Sequence, residues 1–446
     1  MAGATAQEQM ILELINRARM DPEGEAQRFG ISLNSGLAAG TITAAPKQVL
    51  AMNAVLNGAA GAHSDWMLQS DKFAHSGIGD GDPEVRMRDA GYAFTGNWTW
   101  GENIAWSGTT GSLDSDAASI QHHENLFKSA GHRVNILNGS FRETGVGSLS
   151  GQYTAGTAYN AQMTTQNFAA SGADHFVTGA VFDDKDSDDF YSIGEGEGGL
   201  AVKLLQNGED IGSVSSGSAG GFAIGTALTG EIEVRFSGGS LASDKGVTID
   251  LGNDNLKVDL AGGGTILTNA SAVLTAGTTG LHLLGIEDID GRGNARGNVL
   301  DGNAGANWLR GCAGADTING GEGRDTIKGG GGNDRLAGGD GPDRIFGNAG
   351  ADQFIFKSLA ETTGDSIADF GQDEDRINLS GIDAIAGGGD NSFHFDAGQF
   401  QGAGSLRAVT ANGQTRVEGD LDGDGSFDFT LVLSGVHLLT VEDFVL

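Results

Sequence analysis

Between Gly293 and Ile355 the chain repeats itself every nine residues, as GNARGNVLD, GNAGANWLR, GCAGADTIN, GGEGRDTIK, GGGGNDRLA, GGDGPDRIF and GNAGADQFI, without insertion or deletion. One such unit is too short to bury an apolar face by itself, so the block must stack its turns on one another. Glycines at the first, second and fourth positions allow positive φ and a tight turn. The sixth-position carboxylates Asp316, Asp325, Asp334, Asp343 and Asp352 supply the charge that a hard, oxygen-seeking cation such as calcium requires. Leu300, Leu309, Ile318, Ile327, Leu336 and Ile345 recur at the eighth position and are the expected inward-facing strand residues. A flexible glycine-rich linker would not hold an aspartate and a large aliphatic in fixed phase through so many units.

The rest of the composition agrees with turn-rich β structure. Glycine accounts for 77 of 446 residues, and 26 basic against 59 acidic residues give a formal charge of −33. That charge argues against nucleic acid or an anionic membrane as partner and makes divalent cations the natural counterions. Cys312 is the one cysteine, so no intramolecular disulfide can form and calcium must do the stapling; a cysteine at a glycine position of the repeat reads as a bystander. The start of the sequence lacks the basic and apolar regions of a secretory signal, and no run of about 18 apolar residues occurs, so neither a signal peptide nor a membrane span is expected.

With this length, two to four domains are expected. The first 170 residues read as α/β. Ile11, Leu12, Ile15 and Ala18 follow helical spacing up to Asp21-Pro22, Pro46 opens a second helical stretch reaching Trp66 and Met67, and Asp114 to Lys128 is a third. Thr144 to Gly147 and Met163 to Phe168 read as strands. From about Phe176 to Leu284, short apolar strands (Leu200 to Leu205, Ile232 to Phe236, Val247 to Leu251, Leu256 to Leu260) alternate with turn residues and predict a small β-sandwich. Beyond Lys357 the chain is again β-like and acidic.

Several stretches resemble known families. The nonapeptides match the calcium-binding parallel β-roll repeat of RTX proteins. Leu14-Ile15-Asn16-Arg17-Ala18-Arg19, His63-Ser64-Asp65-Trp66-Met67 with Phe73-Ala74-His75-Ser76, Trp100-Gly101-Glu102-Asn103-Ile104-Ala105, and Ser129-Ala130-Gly131-His132-Arg133-Val134-Asn135-Ile136-Leu137 before Thr144-Gly145-Val146-Gly147 resemble, in this order, the CAP superfamily of cysteine-rich secretory, antigen-5 and pathogenesis-related proteins in its disulfide-free bacterial branch. Thr178 to Phe182 and Gly194 to Gly199 resemble the prealbumin-like B modules of bacterial surface proteins. Asp352-Gln353-Phe354, Asp365 to Phe370 and Val441 to Leu446 resemble the C-terminal domain of serralysin-type exoproteins, which ends in an uncleaved type I secretion signal. These resemblances imply a multidomain α/β plus all-β chain: an N-terminal α-β-α sandwich (residues 1–172), a β-sandwich spacer and ramp (173–290), a parallel calcium β-roll (291–357) and a C-terminal β domain for secretion (358–446).

The CAP resemblance implies a cleft gathering His75, Glu102 and His132, with Glu124 as fourth member, able to hold zinc or another divalent metal. Leu126 stands where the family commonly has tryptophan. His63, His122 and His123 read instead as ordinary helix-surface histidines. Asp184, Asp186, Asp188, Phe190 and Glu195 have EF-hand-like calcium spacing, although Asp189 replaces the usual glycine; Asp420, Asp422, Asp424 and Asp428 form a second candidate calcium loop. Neither H-E-x-x-H nor G-x-S-x-G occurs, so two common hydrolase signatures are missing. Three functions stay open: a secreted, extracellular binding module with a metal-holding cleft and an unknown ligand, a metal-assisted hydrolase of peptide or envelope substrates with Glu102 as general base, and a calcium-scaffolded adhesin. In each, calcium and the type I secretion apparatus are the expected partners.

Overall fold

The computed structural model describes residues 3–275, 277–385, 391–396 and 398–446, in two compact units, Met1–Asn269 and Ala270–Leu446. Among the described residues no helix is long and apolar enough to cross a membrane.

The first unit opens with helix α1 (Ala6–Met20), whose start is fixed by a capping box between Thr5 and Glu8. Asp21 then both ends α1 and caps α2 (Pro22–Arg28). The helical stretch expected from Pro46 is absent there. Leu50 N–H donates to Asn16 Oδ1 and Ala51 N–H to the Arg142 carbonyl, which hold that segment extended into strand β1 (Ala51–Met52). Helix α3 (Ala54–Ser70) begins only after the Asn53 cap, and α4 (Pro83–Asp89) follows. Strand β2 (Thr99–Thr109), helices α5 (Ser115–Lys128) and α6 (Ala130–Ile136), and the long hairpin β3 (Glu143–Thr154) and β4 (Ala158–Ala170) complete the N-terminal part. The sheet order is β1-β3-β4-β2, antiparallel except for β1 against β3.

Alternation along β3 decides the layers. Val146 faces a core built from Ile11 and Ile15 of α1, Phe127 of α5, Ile136 of α6 and Phe168 of β4. Gly145 and Gly147 face α3, where an added Cβ would lie 2.0 Å from Leu56 and 2.2 Å from Gly61 backbone atoms. The helix therefore sits directly on the sheet.

The same unit continues into two runs of four paired strands. One runs Lys245–Leu251, Gly230–Ser237, Ala201–Gln206, Glu209–Ser215, all antiparallel. The other runs Thr265–Thr268, Leu256–Ala261, His175–Phe182, Gly221–Thr226, with one parallel pair, Leu256–Ala261 against His175–Phe182. Val202, Leu204, Ile232, Val234, Val247 and Ile249 are buried, as their alternation predicts. The expected break at residue 172 does not separate compact units. Buried polar contacts cross it: Asn255 Nδ2 donates to the Val49 and Arg142 carbonyls at 2.9 and 2.6 Å, and Lys257 is held by Glu13.

In the second unit, strands pair in parallel with strands 18 residues away. Ile318 lies opposite Leu300 and Leu336 in one sheet, and Ile327 opposite Leu309 and Ile345 in the other. All these eighth-position residues are at most 1% exposed. The ladder outruns the nonapeptide block in both directions: Gly280–Leu283 pairs with Val299–Asp301, and Arg376–Asn378 with Gln353–Ile355 and then Phe444–Val445. The parallel ladder thus continues on both sides of the nonapeptide block. Ser405–Ala411, Gln414–Asp420 and Phe429–Ser434 add an antiparallel sheet joined to it through Ser366–Ile367.

Candidate functional site

Arg86 of α4 is the centre of a polar network around Glu102. Its guanidinium, 7% exposed, donates to the His75 carbonyl, Asp80 Oδ2 and the Gly81 carbonyl at 2.8–2.9 Å, and also to Glu102 Oε2. One cation therefore ties the loop after α3 to strand β2. The other oxygen of Glu102 pairs with His75 Nδ1 at 2.8 Å. Helix α6 is tied to the same strand, since Asn103 donates to the His132 carbonyl and Asn135 to the Glu102 carbonyl, both at 3.2 Å. Ser129, at the α6 N-cap, holds His132 Nδ1 at 2.8 Å. Burial, and then the nearby His75 charge, hold His132 below the ordinary imidazole value. Each ring is thus anchored through Nδ1, and Nε2 of each has no protein partner among the described residues. Anchoring of the second nitrogen by a carboxylate or hydroxyl is how proteins orient metal-binding histidines.

In the second unit the five repeat aspartates share one geometry. Oδ1 of each accepts a backbone N–H from the residue 18 positions earlier, at 2.7–2.9 Å. Oδ2 is buried with no hydrogen-bond partner in all five. Against it lies the first glycine of the same repeat: a Cβ on Gly311, Gly320, Gly329, Gly338 or Gly347 would fall 2.1–2.3 Å from that oxygen. Burial pushes the Asp316, Asp325 and Asp352 carboxyls up to about 7, and those of Asp334 and Asp343 also upward. Glycine there leaves room for the carboxylate, and a buried carboxylate oxygen that meets no hydrogen-bond donor suits a hard cation such as calcium.

Residues 12–168 match the model of the cysteine-rich secretory protein (CAP) family, and residues 292–327 and 328–356 that of the RTX calcium-binding nonapeptide repeat. The chain carries a CAP domain and calcium-binding RTX repeats. Both families are consistent with a calcium-binding extracellular protein. No curated protein matches the chain. Among solved structures, an extracellular protein containing an SCP domain from Bacillus anthracis str. Ames is 25% identical, over 27% of this chain and 34% of that one, with a TM-score of 0.21. This chain therefore spans about a third of that protein. The AlgE6R3 and AlgE6R2 subunits of the Azotobacter vinelandii mannuronan C5-epimerase are 25% and 24% identical, each over 34% of this chain and over 78% and 88% of their own, with TM-scores of 0.18 and 0.16.

Of the four expected ligands in the CAP domain, His75 and Glu102 meet directly, at 2.8 Å between Nδ1 and Oε1. Glu124 is paired with Lys128 one turn along α5. Both Glu102 oxygens are engaged, so it serves as anchor for His75 and counter-ion for Arg86. Among the described residues, the groups offering three or more close metal-ligand atoms are the acidic loops, not the cleft.

The three histidines expected on helix surfaces are all buried. His63 Nδ1 meets Asp80 Oδ2 at 3.0 Å, its Nε2 lies 4.0 Å from Glu102 Oε1, and its ring stacks on Trp66. His122 sits between Thr164 and Ser107, and burial drives it down to about 4; His123 is held by Glu25 at 3.0 Å. Helical phase would have found them. His63 is in register with buried Ala60 and Met67, and the pair His122 and His123 with buried Ser119, Leu126 and Phe127.

Both acidic loops gather three carboxylates with oxygens within 4.8 Å of one another: Asp184, Asp186 and Asp188, and Asp420, Asp422 and Asp428. Burial and then adjacent carboxylates raise Asp188 above its ordinary value. Glu195 accepts the backbone N–H groups of Lys185 and Ser192, both at 2.9 Å, and so braces the first loop. Phe190 lies under the Arg17 guanidinium. In the second loop Gly425 takes φ +85 at the position where a glycine is expected, and Asp424 turns away to accept Ser426 N–H at 2.7 Å.

Proposed function

We propose that the protein is a type I-secreted, calcium-dependent exoprotein whose CAP cleft is an extracellular binding module that holds a divalent metal through His75 and His132. The observation that carries the reading is the pair of Nδ1-anchored rings with free Nε2 atoms, beside a glutamate whose two oxygens are already engaged. That engagement favours binding over hydrolysis, because a general base needs a free carboxylate oxygen within reach of the proton it removes. Zinc suits such imidazole ligands, and the ion would supply attraction for an anionic or carbonyl oxygen of the extracellular ligand. The residues' own work is orientation: Glu102 and Ser129 hold the rings, and Arg86 pairs with the buried Glu102.

The two acidic loops belong to the same proposal as further calcium sites, Asp184, Asp186 and Asp188 with Glu195 as brace, and Asp420, Asp422 and Asp428. Export before folding agrees with the burial of Phe444, 6% exposed in a strand paired to Ile377. A transporter can read that segment only while the second unit is unfolded.

Calorimetric titration of zinc into the calcium-saturated full chain tests the cleft. Wild type is expected to bind one ion there, His75→Ala and His132→Ala each to lose it, and Glu102→Gln to retain it about 10–100-fold more weakly. Unchanged zinc binding in both histidine variants would overturn the reading.

A further inference from the structure

The aspartate ladders do not end where the repeats end. Along one edge of the roll, Asn298, Asp316, Asp334 and Asp352 donate their N–H groups to Oδ1 of Asp316, Asp334, Asp352 and Asp375 respectively. Along the other, Asn307, Asp325 and Asp343 donate to Asp325, Asp343 and Asp365. What distinguishes the rungs is the second side-chain atom.

At the first two rungs the side chain is an amide, and it closes on itself and the backbone. Asn307 Nδ2 donates to the Ile289 carbonyl at 2.7 Å while its Oδ1 accepts Asn303 N–H, and Asn298 makes the equivalent contacts with Thr279 and Asn294. At Asp375 a backbone donor does the closing, because its Oδ2 accepts Gly371 N–H at 2.7 Å. Asp365 is different. It is 1% exposed, its Oδ1 accepts Asp343 N–H at 2.7 Å, and its Oδ2 has no partner, as in the five repeat aspartates. The charges of Asp343, Glu361 and Asp325 also bear on it, which adds to the need for a cation.

We propose that Asp365 ligates a calcium ion outside the nonapeptide block, so that the calcium array is asymmetric, running to Asp365 along one edge and stopping at Asp352 along the other. Asp365 follows Asp343 by 22 residues instead of 18, because the intervening turn is enlarged around the short helix Ala360–Thr362, and a search for nine-residue spacing passes over it. The ion lies beside Ser366–Ile367, the strand that pairs with both Arg344–Ala349 and Phe429–Ser434. Calcium there fastens the C-terminal antiparallel sheet to the roll.

Equilibrium dialysis of the full chain against calcium tests this. Asp365→Asn reproduces the amide of the natural Asn rungs and is expected to bind one ion fewer than wild type, whereas Asp375→Asn is expected to bind the same number. Undiminished stoichiometry in Asp365→Asn overturns the proposal, as does an equal loss in both variants. If Asp365→Asn does not fold, an anomalous-scattering map of calcium-soaked wild-type crystals decides: a peak about 2.3–2.6 Å from Asp365 Oδ2 supports the site and its absence refutes it.

Discussion

In chelator, the unit Ala270–Leu446 is expected to lose its strands as pH rises from about 4 to about 8, and in millimolar calcium to keep them over the same range. Burial pushes the carboxyls of Asp316, Asp325 and Asp352 up to about 7 and that of Asp365 up to about 8, from an ordinary 3.8. Without metal the folded unit therefore holds protons that the unfolded chain has released. Its stability is fully present below the unfolded value and drains away as pH climbs through the folded one. Calcium reverses the sign, because the ion needs ionised oxygens and protons compete with it. Extracellular calcium modules fill at about 10⁻⁴ to 10⁻³ M, so calcium-poor and calcium-rich surroundings select different states of one chain. Circular dichroism with limited proteolysis of the full chain, in chelator and in calcium across this pH range, reads both slopes. A metal-free unit as protease-resistant at pH 8 as at pH 5 would refute the mechanism.

The roll was legible because its period is local. Nine-residue spacing placed Ile318 inward and Asp316 at a turn, and the 18-residue pairing follows from two such units per turn. Asp365 was hidden because an enlarged turn breaks the count while leaving the geometry intact. In the CAP domain, family motifs marked His75, Glu102 and His132, but not that Arg86 would occupy Glu102, since a buried ion pair across 16 residues leaves no periodic trace. The continuity of the first unit was hidden for a similar reason: its decisive contacts join residues 206 and 244 positions apart.

The most distant of these contacts gives the second large effect: Lys257→Met is expected to destabilise the whole unit Met1–Asn269 by about 3–5 kcal/mol. Lys257 is 4% exposed, and its ammonium sits between Glu13 of α1 and Asp259 of its own strand, at 2.5 and 2.7 Å. Gln9 donates to the other Glu13 oxygen and Ala180 N–H to Asp259 Oδ1, both at 2.7 Å, so the carboxylates are fixed in place and cannot turn to solvent. Burial already lifts Asp259 to about 6 against the pull of Lys257. Removing the ammonium leaves two buried carboxylates with no counter-ion, which costs more than the pair contributes, so Glu13→Gln/Lys257→Met/Asp259→Asn should recover much of the loss. The sign with pH follows: Lys257→Met should be least deficient in acid, where Asp259 accepts a proton, and increasingly deficient as pH rises through neutrality. Because the charges bridge the CAP helix and the strands that follow, proteolytic sites in both parts should become accessible in one transition. If Lys257→Met melts with wild type, or only the strands after residue 172 open while the CAP domain stays protected, the two are not one cooperative body.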